Sequence, residues 1–307
     1  MATNTRAYWL HCLTPTHVGT GRGIGYIDLP LYREATTNWP AVPGSGFKGV
    51  WADHYRATKE ARAEKSDKGQ LLRAAFGAAD VKDGDTGRDS SNAGALIATD
   101  ARLVCLPVRS FKGTFAWATS PLALRFLQRD LALAHFGKLP EVPATTDDAL
   151  VAQKGTLAID GHVYLEDLDL PEKVDPVAGQ WAKKLAGWVF AEQAGWQEEF
   201  VKRFVVLPDL IFDHLAETGT EVSTRVRIDD DTKTVADGQL WTEESLPAES
   251  ILFGIITCDR VYGVKDVNEA KLVEEFATKP LQLQVGGKAS VGRGKVRCVF
   301  TPVEGSR

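Results

Sequence analysis

The sequence predicts an α+β fold, a ferredoxin-like sheet interrupted by large insertions, with a β-hairpin protruding from it. Three observations carry this expectation. The amino end reads strand, glycine-rich loop, helix; the carboxy end reads strand, helix, strand, glycine-rich loop, strand; and residues 221–241 alternate strand-like residues around an Asp-rich turn. A chain of 307 residues with 44% hydrophobic and 25% charged residues can bury a sizeable core, and no Pro- or Ser-rich linker divides it. One domain over 1–307 is therefore expected. Its sheet comes from 1–65, 95–136 and 250–307, with a polar insertion at 66–94, a helical and irregular one at 137–220, and the hairpin at about 221–249.

Residues 7–13 carry Tyr8, Trp9 and Leu10 and stop at Thr14 and Pro15, which predicts the first strand. The following stretch crowds glycines at 19, 21, 23, 25, 44, 46 and 49, where backbone N–H groups can turn toward a ligand. Ser45 stands as the expected N-cap of a helix through 47–64, because Phe47, Val50, Trp51 and Tyr55 fall at helical spacing. Residues 66–92 are polar and glycine-rich apart from 71–76 and read as a mobile surface insertion. A strand pair or one bent strand is expected over 95–108, and Ser120 with Pro121 opens a helix to about 135. From 140 to 172 the pattern is weak, with a strand expected at 163–165; a helix carrying Trp181, Leu185, Trp188 and Val189 and a short helix over 196–205 follow. At the carboxy end strands are expected over 250–257, 281–285 and 295–301, a helix over 267–278, and a second glycine loop over 286–294.

A formal net charge of −5 argues against coating nucleic acid over the whole surface, yet leaves room for a local cationic groove. Cys12, Cys105, Cys258 and Cys298 are isolated within apolar runs, which fits neither zinc spacing nor a disulfide framework. Reduced thiols in a cytoplasmic protein are expected. No apolar run approaches the length of a bilayer span and the amino end lacks signal-peptide regions, so no membrane partner is expected.

Gly44, Gly46 and Gly49 match G-x-G-x-x-G, but Pro40 and Pro43 sit where a parallel strand should feed the turn. No G-x-x-x-x-G-K-[ST] run occurs, so no nucleotide cofactor is expected. What remains is a helix start with Ser45 and Lys48 that suits any phosphate. The second loop sets Gly286, Gly287, Gly292 and Gly294 beside Lys288, Arg293 and Lys295 and is also expected to contact phosphate. His17 and Asp28 flank the first loop and can be read as an acid and base for RNA cleavage, or Asp28 as a ligand of a divalent cation. Local chemistry alone favours a plainer reading, a turn-stabilising Asp and a His bonded to the loop backbone. Arg33 and Glu34 read as a surface pair of little worth, and Arg109 and Lys112 as a solvated turn.

Five blocks recur in a fixed order over most of the chain: LTPTHVGTGRGIGYIDLPLYRE (13–34), VPGSGFKGVW (42–51), TDARLVCLPVRSFKGTFAWATSPLALRFL (99–127), LWTEESLPAESILF (240–253) and GGKASVGRGKV (286–296). Together they resemble the RAMP proteins of CRISPR systems, and within them the Cas seven-like backbone subunits of the type III-B Cmr effector. The resemblance implies an RRM-like palm with the hairpin as its thumb, polymerised head to tail along a guide CRISPR RNA beside other Cmr subunits. It also implies cleavage of target RNA at regular intervals with a divalent cation, Mg or Mn. By position in the motif, Asp28 becomes the catalytic carboxylate and a metal ligand, with Glu243, Glu244 or His17 assisting. His17, Ser45 and Lys48 become contacts of the guide RNA; Arg22, Arg109, Lys112, Gly286, Gly287, Lys288 and Arg293 are further RNA-binding candidates, and Trp241 is either a wedge or stacking residue of the thumb or a buried core residue. Three alternatives accompany this reading: a non-cleaving structural filament subunit, a metal-independent guide-processing endonuclease with His17 as general base, and a metabolic α+β enzyme that binds a small phosphorylated ligand through the two glycine loops.

Overall fold

A computed structural model describes residues 4–21, 23, 26–57, 66–78, 92–229, 231–261 and 267–302. In chain order, the elements that position the site are β1 (Thr5–Cys12), α1 (Gly44–Arg56), α2 (Asp67–Phe76), β2 (Ala101–Arg109), β3 (Phe115–Thr119) and α3 (Pro121–Leu133). Then follow α4 (Pro176–Val189), α5 (Ala194–Arg203), α6 (Asp209–Thr218), β4 (Glu221–Ile228), β5 (Val235–Ser245), β6 (Ile251–Cys258), α7 (Glu269–Phe276), β7 (Leu281–Gln284) and β8 (Lys295–Pro302).

The first strand lacks polar alternation because both of its faces are covered. Tyr8, Leu10 and Cys12 enter a core with Phe47 and Trp51 of α1, whereas Ala7 and Trp9 enter a second core with Leu124 and Leu127 of α3 and Trp181 and Leu185 of α4. Among the described residues one sheet joins thirteen strands, and its central path is β7-β8-β1-β6-β2-β3 with every neighbouring pair antiparallel. The molecule is thus a mixed α and β structure with helices on both faces of a large sheet. No helix among the described residues is long and apolar enough to cross a membrane. All four cysteines are buried and unpaired, and burial pushes the Cys12 and Cys258 thiols up to about 12, which keeps them protonated and unreactive.

Several expectations need correction. Ser45 is not an N-cap: α1 begins at Gly44 after Pro43, and the Gly44 N–H donates to Asp100 Oδ1 at 2.8 Å. A Cβ at Gly44 would lie 2.4 Å from the Ala98 carbonyl oxygen, so only glycine lets the helix start come this close to the 98–100 turn. The carboxylate suits the positive end of the helix dipole, but it occupies a donor that a phosphate would need. The insertion expected at 66–94 begins with α2, capped by Ser66, with Leu72, Ala74, Ala75 and Phe76 buried. One short apolar run was enough to dock it; residues 79–91 lie outside the described residues. The insertion expected to be helical and irregular over 137–220 also extends the main sheet, from β3 through Phe204–Val206 and Ala149–Val151 to Leu168–Val174, His162–Leu165 and Ala158–Ile159. Strands of two to seven residues are too short for a period-2 signal. Helix α6, which follows Pro208 directly, was likewise not anticipated.

Among the described residues strands β4 and β5 form a two-stranded sheet of their own, joined to the rest by an isolated bridge between Leu29 and Glu243. One face of this hairpin is apolar and half exposed, through Val222, Val226, Ile228, Val235 and Leu240. A two-stranded ribbon is marginal in water, so the hairpin depends on what holds its root.

Candidate carboxylate site and nucleic-acid interface

Three sequence-distant segments lock together at that root. Thr16 and Leu246 exchange backbone hydrogen bonds of 2.9 Å, the Leu29 N–H donates to the Thr242 carbonyl at 3.1 Å, and the Glu244 N–H donates to the Leu29 carbonyl at 3.0 Å. From the other side, the Gly287 N–H reaches the His17 carbonyl and the Gly294 N–H reaches the Pro15 carbonyl, both at 2.9 Å. The first glycine loop therefore lies between the hairpin root and the second glycine loop, and the two loops share a seam.

Charged side chains tie the seam from inside. Glu244, 2% exposed, accepts the Leu31 N–H at 2.9 Å on one oxygen, and Arg33 at 2.5 Å and the Thr220 hydroxyl at 2.8 Å on the other. Burial alone would raise its carboxyl, but these hydrogen bonds and the Arg33 charge hold it below the ordinary range. Arg33 also donates to the Asn38 and Ala216 carbonyls, at 2.7 and 3.0 Å, so it joins the loop to α6. Arg33 and Glu34 are therefore no surface pair: neighbours in extended backbone point to opposite sides, and Glu34 binds Arg102 instead, at 2.5 Å.

Glu243 is equally buried and accepts Trp241 Nε1–H at 2.6 Å and Lys288 Nζ at 2.7 Å, with Arg225 3.6 Å away. Desolvation pushes its carboxyl up, while the Lys288 and Trp241 hydrogen bonds and the two cations bring it below the ordinary value. The Lys288 ammonium also lies 5.8 Å from the Trp241 ring centre. Arg293 is 8% exposed and donates to Ser245 at 2.7 Å and Ser223 at 3.1 Å. Its guanidinium thus braces the hairpin root instead of standing open to a phosphate. Neither glutamate presents a free carboxylate to solvent.

Asp28 does. It is exposed at the rim of the seam, and its Oδ2 accepts both the Thr242 N–H at 2.8 Å and the Thr242 hydroxyl at 3.0 Å. Those bonds lower its pKa, so the group is an anion at neutral pH. The fully exposed Tyr26 stands two residues earlier. Among the described residues no three His, Cys, Asp or Glu side chains converge to hold a metal ion. A divalent cation would find one carboxylate at the rim, which suits magnesium-type sites completed by water and substrate phosphates but not a cage built by the protein.

His17 is 7% exposed, and its Nδ1–H donates to the Glu244 carbonyl at 2.6 Å, since a carbonyl can only accept. The other ring nitrogen abuts Gly19, where a Cβ would come within 2.6 Å of it. The imidazole is a strut between loop and hairpin. Gly286 and Gly287 lie directly on the backbone of His17. Lys48 is half-buried at the start of the second turn of α1, and burial lowers its pKa; Ser45, one turn earlier, is exposed. Arg109 and Lys112 belong to a different neighbourhood: the turn they flank packs on the 149–174 extension, where Lys112 Nζ donates to the Ala158 carbonyl at 3.0 Å and the Glu166 N–H to the Arg109 carbonyl at 3.0 Å. Arg22 lies outside the described residues. Thr242 escaped sequence reasoning altogether, because a threonine in a strand is ordinary and nothing local marks its contact with a residue 214 positions away.

Comparison with known proteins gives a consistent picture. A family model described as the RAMP superfamily matches residues 9–297. The chain is 33% identical over 298 residues, 96% of its own length and 95% of the relative's, to the CRISPR system Cmr endoribonuclease Cmr4 of Pyrococcus furiosus. A crystal structure of oligomeric Cmr4 from that organism is similar at a TM-score of 0.71 and 26% identity, covering 97% of this chain and 98% of that one. The type III-B Cmr-beta complex bound to cognate target RNA contains a chain of the same fold, with a TM-score of 0.67 at 19% identity over 96% of each chain.

Proposed function

This chain belongs to the RAMP superfamily, and from that premise we propose that it is the backbone subunit of a type III-B CRISPR effector, assembled along guide RNA and cutting target RNA at Asp28. The observation that carries the catalytic assignment is the exposed, anionic Asp28 carboxylate at the rim where both glycine loops meet the hairpin root. The name of the Pyrococcus relative supports endoribonuclease activity, and its oligomeric crystal form supports self-association; in this reading copies of the chain stack head to tail beside other Cmr subunits in the cytoplasm. The antiparallel order β8-β1-β6-β2, with α1 and α7 in the crossovers, supports an RRM-like palm within a single domain, and the separate β4-β5 hairpin supports a thumb.

RNA would be held by backbone N–H groups of the glycine loops, by Lys48 and by stacking, which is tolerant of sequence. Lys288 and Trp241 sit at the thumb root on the same face as Arg225, the face opposite the Thr242 side chain that holds Asp28. The cation in this reading is Mg or Mn, with Asp28 as its protein ligand; when bound it would neutralise charge on the scissile phosphate. Asp28 would hold that cation, and the seam holds Asp28. A guide-processing enzyme with His17 as general base is less well supported, because the imidazole is buried and bonded to Glu244.

Asp28→Ala should reduce target cleavage by the assembled complex at least about 100-fold while target binding persists. Unchanged cleavage would remove Asp28 from the mechanism, and cleavage that survives a chelator would remove the cation. Lys48→Ala should weaken RNA loading uniformly across guide sequences and reduce the slope of log affinity against log salt by about 0.7, the value for one single-strand phosphate contact. An unaltered slope would mean that α1 does not meet the RNA.

A further inference from the structure

Building on the function proposed above, we infer that Thr242 is a positioning residue that fixes the Asp28 carboxylate from the thumb root, leaving Oδ1 as the oxygen offered to the RNA. Asp28 sits on an exposed loop, where an untethered carboxylate would exchange among rotamers. Thr242 prevents that with a closed set of contacts. Its N–H donates to Oδ2 at 2.8 Å, and its hydroxyl lies 3.0 Å from the same oxygen. The Asp28 N–H in turn donates to that hydroxyl at 3.0 Å, and the Tyr26 carbonyl is 3.3 Å from it. A hydroxyl has one proton to give and lone pairs to accept with, so it can take the Asp28 N–H while donating to Oδ2. The next residue continues the tie, since the Leu29 N–H donates to the Thr242 carbonyl at 3.1 Å. Backbone and side chain of Asp28 are thereby referenced to a single residue of β5. The neighbouring Trp241 and Glu243 carry the Lys288 and Arg225 contacts, so the carboxylate and the thumb root form one unit. No other side chain among the described residues hydrogen-bonds to the Asp28 carboxylate.

The test compares Thr242→Val, which keeps the branched shape and the backbone N–H but removes the hydroxyl, with Thr242→Ser, which keeps the hydroxyl. Assembled, RNA-loaded complexes are used, so that only folded subunits are scored. Single-turnover cleavage at saturating target should fall on the order of 10- to 100-fold for Val, while target Kd is unchanged and Ser stays within about threefold of the parent. Combining Thr242→Val with Asp28→Ala should add no further loss to Asp28→Ala. A Val variant that cleaves at the parental rate overturns the inference, and so does a Ser variant as slow as Val, which would point to the methyl group. Parental cleavage by Asp28→Ala would instead overturn the proposed function itself, so the two failures are distinguishable.

Discussion

Glu244→Ala should cost about 3–5 kcal/mol of folding stability, because it removes one partner of a buried ion pair and leaves the other uncompensated. Three groups lose their acceptor together: the Leu31 N–H, the Arg33 guanidinium and the Thr220 hydroxyl. Leu31 and Arg33 belong to the first loop and Thr220 to the entry of the hairpin, and Arg33 also holds the Ala216 carbonyl, so the loss is felt at the loop, at the end of α6 and at the hairpin. Glu244→Gln should be milder, since an amide oxygen can still accept from Leu31 or Thr220 while the Arg33 charge goes unanswered. Urea denaturation of the three chains gives the comparison, and an alanine variant within about 1 kcal/mol of the parent would show that the root is held by something else. The pH dependence has a definite sign. Glu243 and Glu244 both titrate below their ordinary value of 4.5 in the folded chain. Their contribution is therefore complete above that value and is lost as the pH falls through their folded pKa values. As the pH falls through those lowered values the hairpin root should loosen, and the Gln variant should show a shallower acid limb.

The ends of the chain were legible because their elements are long enough to declare a period. β1, β6 and β8 are eight-residue strands, and α1 carries Phe47 and Trp51 one turn apart on its buried face. The middle was not, since its strands owe their existence to neighbours along the sheet instead of to their own pattern. At the site, glycine crowding identified both loops, and the fold brings them together through His17 and Pro15. Cations were harder to place. Lys288 and Arg293 look alike in a glycine loop, yet one reaches Glu243 and the other is buried against Ser223 and Ser245, because the register of the loop decides which side chain turns inward. Charge alone cannot reveal that register. Nor can it reveal pairing across 211 residues, which is what makes Arg33 and Glu244 partners.

Gly286→Ala and Gly287→Ala should differ sharply although they are adjacent, and the contrast tests the seam itself. Gly286 has φ = +77°, in the left-handed region, and a Cβ there would lie 2.1 Å from the His17 carbonyl oxygen and 2.8 Å from its carbon. Both are backbone atoms and cannot rotate away, so the strands of the seam must separate. The conformational penalty alone is about 1–2 kcal/mol, and with the clash the total should be at least about 2 kcal/mol. Gly287 has no such constraint: the nearest atom to its Cβ would be His17 Cδ2 at 3.8 Å, an ordinary contact, so alanine there should stay within about 1 kcal/mol of the parent. The damage at 286 should also travel. His17 holds the Glu244 carbonyl through Nδ1–H and accepts the Gly287 N–H on its own carbonyl, so displacing its backbone loosens the second loop and the hairpin root together. Denaturation midpoints and the ratio of nucleic acid to protein retained on purification would follow both effects. If the two alanine variants match in stability and in retained RNA, the loops do not act as one cradle. If 286 alone loses both, the packing of one carbonyl against one glycine governs how the chain grips its RNA.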